Sequence, residues 1–481
     1  MISEISFVLD GKVVTIDFKK SSLLTPTTTV LNYLRSLPSH KGVKEGCAEG
    51  DCGACTVVLG ELDENNTIRY KSVDSCLLFL PRIHGKQLIT VENLKEQSGE
   101  LHPVQSAMVE TNGSQCGFCT PGFVMSLFSL YKNYDSPTRS QIDDSLTGNL
   151  CRCTGYRPII EAAALACIHK GLDHFTPREG AIANLLRSIP REALQIDTEQ
   201  QRYFKPMTVR DALMLKRIHP NAIVLCGATD VALRVSKRHE LLPEIIDVSD
   251  IQDLKKIVDD PAFVSLGSGV TIDEIMRIAD RNFHPLYDIL HVFGSQQIRN
   301  VATLGGNLGT ASPIGDTLPV LMAYGAKVIL ESLDGKRELS LDDYFIGYRK
   351  TARAANELIT SIIIPKIEHR TTIRSYKVSK RKDLDISTVS GGFRFDVDED
   401  GTIKNIVLAY GGMAEKIKRA ASAERYLFGK KWDRDTIERA MPLIDKDFSP
   451  ISDARGSAEF RKVAARNLLL KFWADTLEGD E

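Results

Sequence analysis

Residues 46–55 read GCAEGDCGAC, and one further cysteine follows at position 76. Together they form a C-x4-C-x2-C arrangement with a distant fourth thiol: Cys47, Cys52, Cys55 and Cys76. Three thiolates on one loop can surround one side of a small cluster, and a fourth from a neighbouring segment can close it. This is the plant-type pattern of [2Fe–2S] ligation. The glycines of the loop suit it, because glycine readily adopts the left-handed angles that turn N–H groups toward sulfur.

A second set of four cysteines follows as C-x2-C and C-x-C, namely Cys116, Cys119, Cys151 and Cys153. Each pair lies at a predicted helix end; Thr120 as N-cap and Pro121 at the first position predict a helix start. Structural zinc also uses four thiolates, and C-x2-C is common among zinc sites. The spacing of both sets is unusual for zinc, so two iron–sulfur clusters are favoured over zinc or disulfides. The other two cysteines, Cys167 and Cys226, are expected to be small buried apolar residues.

The composition excludes several classes of protein. At 481 residues, the chain is too long for one ordinary core, and we expect about two to four domains. A formal net charge of -2 gives no indication of binding to nucleic acid or to a membrane surface. There is no long apolar run, and the N-terminus lacks the basic and apolar regions of a secretory signal. We therefore expect a cytoplasmic protein with reduced thiols.

Hydrophobic patterning divides the chain into five regions. Residues 1–88 predict a β-hairpin with an Asp-Gly turn, one helix, the cysteine loop and returning strands that carry Cys76. Residues 89–170 predict a small helical bundle. Residues 171–200 are polar, without a sustained period, and are interpreted as a linker. Strands and helices alternate over 201–370, and strands followed by helices are predicted over 371–481.

Two glycine-containing stretches could hold a polar cofactor. Residues 224–231 predict a strand that runs into a glycine turn, whose N–H groups could face a phosphate, although many strand–turn–helix joins look the same. Residues 299–316 concentrate glycines, hydroxyls, amides and a carboxylate, which is typical of a cofactor-lining loop or of an ordinary loop. Neither stretch is a G-x-G-x-x-G fingerprint, so a nicotinamide Rossmann domain is not supported. The basic run 377–382 is either a solvated face or a patch near an anionic cofactor.

Four motifs in register resemble the molybdenum hydroxylases: 46–55, QCGFCTPG at 115–122, GNLCRCTGY at 148–156, and 303–316. The resemblance covers nearly the whole chain and implies an α+β multidomain fold. The expected order is a β-grasp [2Fe–2S] ferredoxin-like domain, a four-helix [2Fe–2S] domain, a vanillyl-alcohol-oxidase-like α+β FAD-binding domain and a small α+β C-terminal domain.

The resemblance also assigns residues. Each set of four cysteines would hold one [2Fe–2S] cluster, and Gln115 matches a side chain that faces molybdopterin. The expected FAD contacts fall on the two glycine stretches and on a few positions outside them. They are Val224, Leu225, Cys226, Gly227, Ala228, Thr229, Asp230, Val231, Phe293, Thr303, Leu304, Gly305, Gly306, Asn307, Thr310, Ser312, Asp316, Ile359 and Lys377.

The family's molybdopterin domain is absent from the 481 residues. The resemblance therefore implies a molybdopterin-binding large subunit, in a heterotetramer of two small and two large chains. Electrons would pass from molybdenum through the two clusters to FAD and then to NAD+, during oxidation of hypoxanthine to xanthine to urate. No catalytic side chain is expected here. Three alternatives stay open: a partner that oxidises aldehydes or other N-heterocycles, a self-sufficient NADH:acceptor reductase, and a non-enzymatic assembly or iron-carrier protein.

Overall fold

The computed structural model describes residues 2–21, 23–96, 98–168, 170, 173–367 and 371–477. The chain divides into two compact units, and the division does not follow the order of the sequence. The first unit combines Met1–Asp250 with Gly294–Ala302. The second combines Ile251–Phe293 with Thr303–Glu481. A short segment within the later part of the sequence therefore belongs to the first unit.

The first unit begins with a five-stranded sheet that wraps one helix. The strands, in spatial order, are Lys12–Asp17, Glu4–Leu9, Gln87–Ile89, Thr56–Leu62 and Ile68–Asp74. Asp10 and Gly11 both have positive φ, as the predicted two-residue hairpin turn requires. The helix is Val30–Ser36, capped by the Thr29 side chain, and its apolar face lies in the core beneath the sheet. The predicted hairpin, helix and β-grasp arrangement are confirmed.

Four helices follow the sheet, as predicted: Pro103–Glu110, Thr120–Asn133, Arg139–Leu146 and Arg157–Ile168. The longest one packs directly on the strands of the first sheet. Phe128 meets Tyr70 edge to face with ring centroids 5.8 Å apart, and Val58 and Ile89 lie in the same buried cluster as the helical residues. The helical domain thus completes its core with side chains from the first domain.

The segment predicted as a linker, 171–200, contains regular structure among its described residues. Helix Glu179–Ser188 packs Leu186 against Val8, and strand Leu194–Asp197 pairs with Arg202–Lys205. The four-stranded sheet has the order Leu194–Asp197, Arg202–Lys205, Glu244–Asp247 and Ile223–Leu225. Helices of the same region are Val209–Ile218, Val231–Ser236 and Gln296–Arg299.

The second unit contains a five-stranded antiparallel sheet and a four-stranded one. The first has the order Ile257–Asp259, Phe263–Gly267, Leu358–Pro365, Lys327–Ser332 and Gly335–Ser340. The helices in this part of the second unit are Ile272–Asn282, His284–His291, Leu304–Thr310, Thr317–Ala323 and Leu341–Tyr344. Two short strands, Phe345–Gly347 and Lys350–Thr351, form a separate ribbon.

The last sheet has the order Thr371–Val378, Val389–Val397, Ile403–Gly411 and Lys418–Arg419. Helices Ala421–Leu427, Arg434–Ala440 and Ala458–Asp475 bury their apolar sides against it in one core. The strands and helices predicted for this region are present. Among the described residues, no helix has the length and apolar character needed to cross a bilayer.

Candidate cofactor sites

The first cysteine loop is shaped by residues with positive φ. Gly50 and Gly53 have φ of +80° and +66°, and Ala48 also lies in the left-handed region. This backbone turns amide groups inward: the N–H groups of Glu49 and Asp51 donate to the Sγ of Cys47 over 3.4 and 3.3 Å. The loop therefore offers hydrogen bonds to sulfur, the arrangement that stabilises a thiolate and tunes a bound cluster.

The four sulfurs of the first set fall into two pairs. The thiols of Cys47 and Cys52 are hydrogen-bonded, as are those of Cys55 and Cys76. The hydrogen bond from Cys52, followed by the backbone amides, lowers the pKa of Cys47 to about 5. The hydrogen bond with Cys76, followed by burial, raises the pKa of Cys55 well above its ordinary value. Cys76 lies on a 3-10 turn after the strand Ile68–Asp74, so its predicted place on a strand is wrong.

The second set is paired in the same way, Cys119 with Cys151 and Cys116 with Cys153. Burial and the hydrogen bond with Cys151 raise the pKa of Cys119 to about 12. Cys119 itself is the N-cap of the helix Thr120–Asn133, and Thr120 is its first residue, so the predicted cap is one residue late. The Thr154 hydroxyl donates to the Sγ of Cys151 over 3.2 Å.

The pairs test whether these residues fit the proposed clusters. Within the described residues, no three or more His, Cys, Asp and Glu side chains are grouped around one metal position, and the sulfurs instead lie two by two. A [2Fe–2S] cluster takes four thiolates, shared between two irons. The donor type and the pairing therefore fit one such cluster in each set. Each of the ten cysteines is free of disulfide bonds.

The first predicted flavin stretch belongs to the first unit. Strand Ile223–Leu225 leads into a turn, where Ala228 has a φ of +63°, and then into helix Val231–Ser236. A Cβ on Gly227 would lie only 2.4 Å from the carbonyl oxygen of Val301, so only glycine fits. The Arg82 guanidinium donates to the Gly227 carbonyl and fixes the turn. Cys226 is partly exposed, whereas Cys167 is buried, so the expectation of a buried apolar cysteine is confirmed only for Cys167.

Residues 303–316 of the second flavin stretch belong to the second unit, and they begin with a capped helix rather than the predicted loop; residues 299–302 belong to the first unit. Thr303 is the N-cap of Leu304–Thr310, and its Oγ1 accepts from the Gly306 N–H over 3.1 Å. A Cβ on Gly305 would lie 2.4 Å from that of Ser268. The helix ends at Ala311 in the left-handed region. Its glycines thus keep this backbone close to its neighbours and leave small side chains along it.

Several predicted FAD contacts of the second unit lie together. Asp316 is buried, pairs with the Lys377 ammonium over 2.9 Å, and accepts a hydrogen bond from the Ser387 hydroxyl. Lys377 also donates to the carbonyl of Val292, the neighbour of Phe293. The Asn307 amide oxygen accepts from Thr317 over 2.6 Å, close after Asp316 in sequence.

The remaining predicted residues have simpler surroundings. Ile359 lies on the strand Leu358–Pro365, with its Cδ1 3.5 Å from the Cβ position of Gly309. The Ser312 hydroxyl accepts from the Ile314 N–H over 3.4 Å, and Thr310 is the last residue of its helix. Gln115 is exposed beside Cys116. These positions stay predictions as cofactor contacts.

Three sequence profiles match the chain. Residues 90–164 match a [2Fe-2S] binding domain, 197–367 the FAD binding domain in molybdopterin dehydrogenase, and 374–476 the CO dehydrogenase flavoprotein C-terminal domain. Among known proteins, a xanthine dehydrogenase of Emericella nidulans is 31% identical over 99% of this chain and 39% of its own length. A xanthine dehydrogenase/oxidase of Rattus norvegicus is also 31% identical, over 99% of this chain and 39% of its own length.

This chain belongs to the molybdenum hydroxylase family. It is homologous to the N-terminal iron–sulfur and FAD part of xanthine dehydrogenases and is an electron-transfer component of the family. The chain spans only 39% of the length of the two relatives named above.

Solved structures of the molybdenum hydroxylase family agree in fold. A Cu,Mo-CO dehydrogenase is 25% identical with a TM-score of 0.52, covering 56% of this chain and 94% of the other. Quinoline 2-oxidoreductase from Pseudomonas putida 86 has a TM-score of 0.53 at 22% identity, covering 58% of this chain and 98% of the other, and supports the fold alone. The α+β multidomain architecture expected for a molybdenum hydroxylase is therefore confirmed.

Sequence reasoning missed the polar residues that surround these sites. Arg82 holds the first flavin turn, and Ser387 orients Asp316. Asn149 and Gln297, both fully buried, lie between the two cysteine sets. The position of Asn149 directly before Leu150-Cys151 is the one signal in the sequence that could have indicated its role.

Proposed function

We propose that this chain is the iron–sulfur and FAD component of a xanthine dehydrogenase, which passes electrons to NAD+ from a molybdopterin subunit that oxidises hypoxanthine to xanthine and urate. The observation that carries the proposal is the similarity to xanthine dehydrogenases along 99% of this chain, combined with paired thiols in both cysteine sets. When bound, the two clusters supply single-electron transfer and the flavin supplies two-electron chemistry.

The residues of this chain bind and tune rather than catalyse. Backbone amides and Thr154 donate to cysteine sulfurs, which stabilises the thiolate form that ligates iron. Arg82 and the cap of Thr303 hold the two glycine backbones that we assign to FAD. No side chain is proposed as an acid, base or nucleophile.

A surface near the second cysteine set supports the proposed molybdopterin partner. Cys116 and Cys153 are exposed, and large apolar side chains lie within three residues of these cysteines in sequence. Phe118 is 48% exposed, Leu150 40% and Tyr156 37%. Exposed apolar groups around an electron-transfer site suit a protein interface. A heterotetramer and a cytoplasmic location are part of the proposal; ten cysteines without disulfides suit a reducing compartment.

A related hydroxylase is the second candidate, because the fold is also that of CO dehydrogenase and quinoline 2-oxidoreductase. Purifying the chain with its partner and assaying xanthine, an aldehyde and quinoline separates these functions. NADH oxidation by the lone chain with a physiological acceptor would favour a self-sufficient reductase. Failure to retain flavin after gentle purification would favour an assembly or iron-carrier protein.

The experiment that tests the electron route is Cys119→Ser in the purified complex. We expect loss of xanthine-to-NAD+ turnover, because a cluster ligand is removed, while NADH-to-dye activity at the flavin persists. Cys167→Ser is the matched control, since Cys167 is buried outside both sets, and it should retain both activities. Full turnover by Cys119→Ser would contradict the proposal. The unmodified complex should show two distinct [2Fe–2S] electron paramagnetic signals; zinc in place of iron would also contradict it.

A further inference from the structure

The two cysteine sets meet across a contact lined by glycine. A Cβ on Gly122 would lie 2.1 Å from the carbonyl oxygen of Gly53, and a Cβ on Gly53 would lie 2.3 Å from that of Gly148. Across the same contact, the N–H of Leu150 donates to the carbonyl of Cys52 over 3.1 Å. Since Leu150 directly precedes Cys151, this one hydrogen bond and the intervening covalent bonds connect Cys52 of the first set to Cys151 of the second.

Asn149 fastens this contact. Its side chain is 2% exposed, and its Nδ2 donates to the Gly53 carbonyl over 3.1 Å and to the Thr56 hydroxyl over 3.3 Å. Its Oδ1 accepts from Ser126 over 2.6 Å and from Gln297 over 2.9 Å. Both donors and both acceptor positions of the amide are therefore used.

Gln297 closes the network from a third segment, Gly294–Ala302, which belongs to the same compact unit. The side chain is fully buried, and its Nε2 also donates to the Ser126 hydroxyl over 3.0 Å. The segment is held on both sides: Asn300 donates to the Ser72 carbonyl over 2.8 Å, and Arg299 pairs with Asp144. Three parts of the chain thus converge on one amide.

Stability alone does not account for this network. Among the described residues, the Oε1 of Gln297 is buried without a hydrogen-bond partner. Leaving a buried acceptor unsatisfied is unfavourable, and an apolar contact of the same shape would avoid that cost. What the polar network adds is a fixed geometry, because directional hydrogen bonds define distances that apolar packing leaves adjustable.

We propose that Asn149 and Gln297 are positioning residues that fix the separation of the two clusters, and with it the rate of electron transfer between them. The inference rests on the proposed ligation of one cluster by each cysteine set. It goes beyond that function by assigning the spacing of the clusters to side chains that bind neither of them.

The test uses the full chain purified with its partner and reduced with dithionite. The readout is the dipolar splitting in the electron paramagnetic spectrum, which depends on the distance between two reduced clusters. The variants are Asn149→Leu and Gln297→Leu. The matched control is Asn133→Leu, because the Asn133 amide also joins the helical domain to the first sheet, donating to the Tyr70 carbonyl over 2.8 Å, yet lies outside the network.

We expect both network variants to keep their iron and to lose the splitting of the unmodified protein, while Asn133→Leu keeps it. Electron transfer between the clusters should slow about tenfold, since ångström-scale misplacement of reacting groups costs up to about 10²-fold. Unchanged splitting in Gln297→Leu would overturn the proposal. Loss of iron in both variants would also overturn it, in favour of a role in holding ligands. Iron missing from the unmodified protein would instead contradict the proposed function.

Discussion

The two cysteine sets use the same chemistry in surroundings that differ in exposure. In the first set, Cys55 and Cys76 are each 2% exposed, and Cys47 and Cys52 are partly exposed. Its loop is covered by the end of helix Val231–Ser236, where the Ser236 hydroxyl donates to the Ala48 carbonyl over 2.8 Å and Lys237 donates to that of Cys47 over 3.0 Å. In the second set, Cys116 and Cys153 are exposed.

The difference indicates the direction of the proposed electron route. A more buried cluster is better sheltered from solvent and suits electron exchange with neighbours inside the fold. A cluster at the surface can face a partner chain. The more exposed set therefore suits the entry of electrons and the more buried set suits their onward transfer to the flavin, which is the order that we propose.

The largest effect is expected from a substitution that forces the two cysteine sets apart. Gly122→Val places a side chain where the Gly53 carbonyl lies 2.1 Å from the Cβ position, and we expect it to destabilise the unit by more than about 4 kcal/mol. Thermal unfolding and iron content measure the effect. Gly180→Ala is the control: its Cβ position is open and lies in helix Glu179–Ser188, so a neutral or slightly stabilising change is expected. Near-normal stability of Gly122→Val would contradict the contact.

Acid should act on the helical domain through His102. Burial lowers the pKa of His102 to about 4, whereas the unfolded chain has a histidine pKa of about 6.5. Below pH 6.5 the histidine is protonated in the unfolded chain but stays neutral in the folded one. The free energy of unfolding is therefore unaffected by His102 above pH 6.5 and decreases as the pH falls toward 4. Between pH 7 and 5 the loss is about 2 kcal/mol.

The measurement for this acid effect is thermal unfolding at a series of pH values. His102→Asn should remove the contribution of the histidine from the pH dependence, because asparagine does not titrate and can still cap helix Pro103–Glu110. Absolute stability will also change, so only the slope against pH is compared. Equal slopes in the variant and the unmodified chain would refute the role of His102.

The smallest expected effect is a difference in the rate at which the two cysteine sets lose iron. In the chain purified alone, a chelator applied under mild oxidation should remove iron from the more exposed set about tenfold faster than from the more buried one, because solvent reaches it without local unfolding. The two electron paramagnetic signals report each cluster separately. The assignment is made with Cys119→Ser, which should lack the faster signal. Equal rates of loss would show that exposure does not distinguish the two sets.

The sequence predicted what is encoded in local spacing. The hairpin at Asp10-Gly11, the helices beside Cys119 and Cys151, and the strands of the later sheets follow from periodicity and turn chemistry. It failed where long-range contacts decide. The helix Leu304–Thr310 contains three glycines, which disfavour helix, yet the cap of Thr303 and the close approach to Ser268 stabilise it there.

The partners of the candidate sites could not be predicted for the same reason. Arg82 is far in sequence from Gly227, and Gln297 is far from Asn149, so no local pattern joins them. The cysteines are different because their spacing itself matches the geometry of a cluster. Ligand types were therefore predictable from sequence, whereas the groups that hold them in place were not.

The excursion of Gly294–Ala302 into the first unit sets a limit on how this protein can be divided. The backbone passes from one unit to the other three times, after Asp250, Phe293 and Ala302. No single cut can yield two intact units, because any one break leaves either this segment or residues 251–293 attached to the wrong unit. Separating the two units into two chains would therefore require this segment to be transplanted, and recombination between relatives should be best tolerated outside residues 251–302.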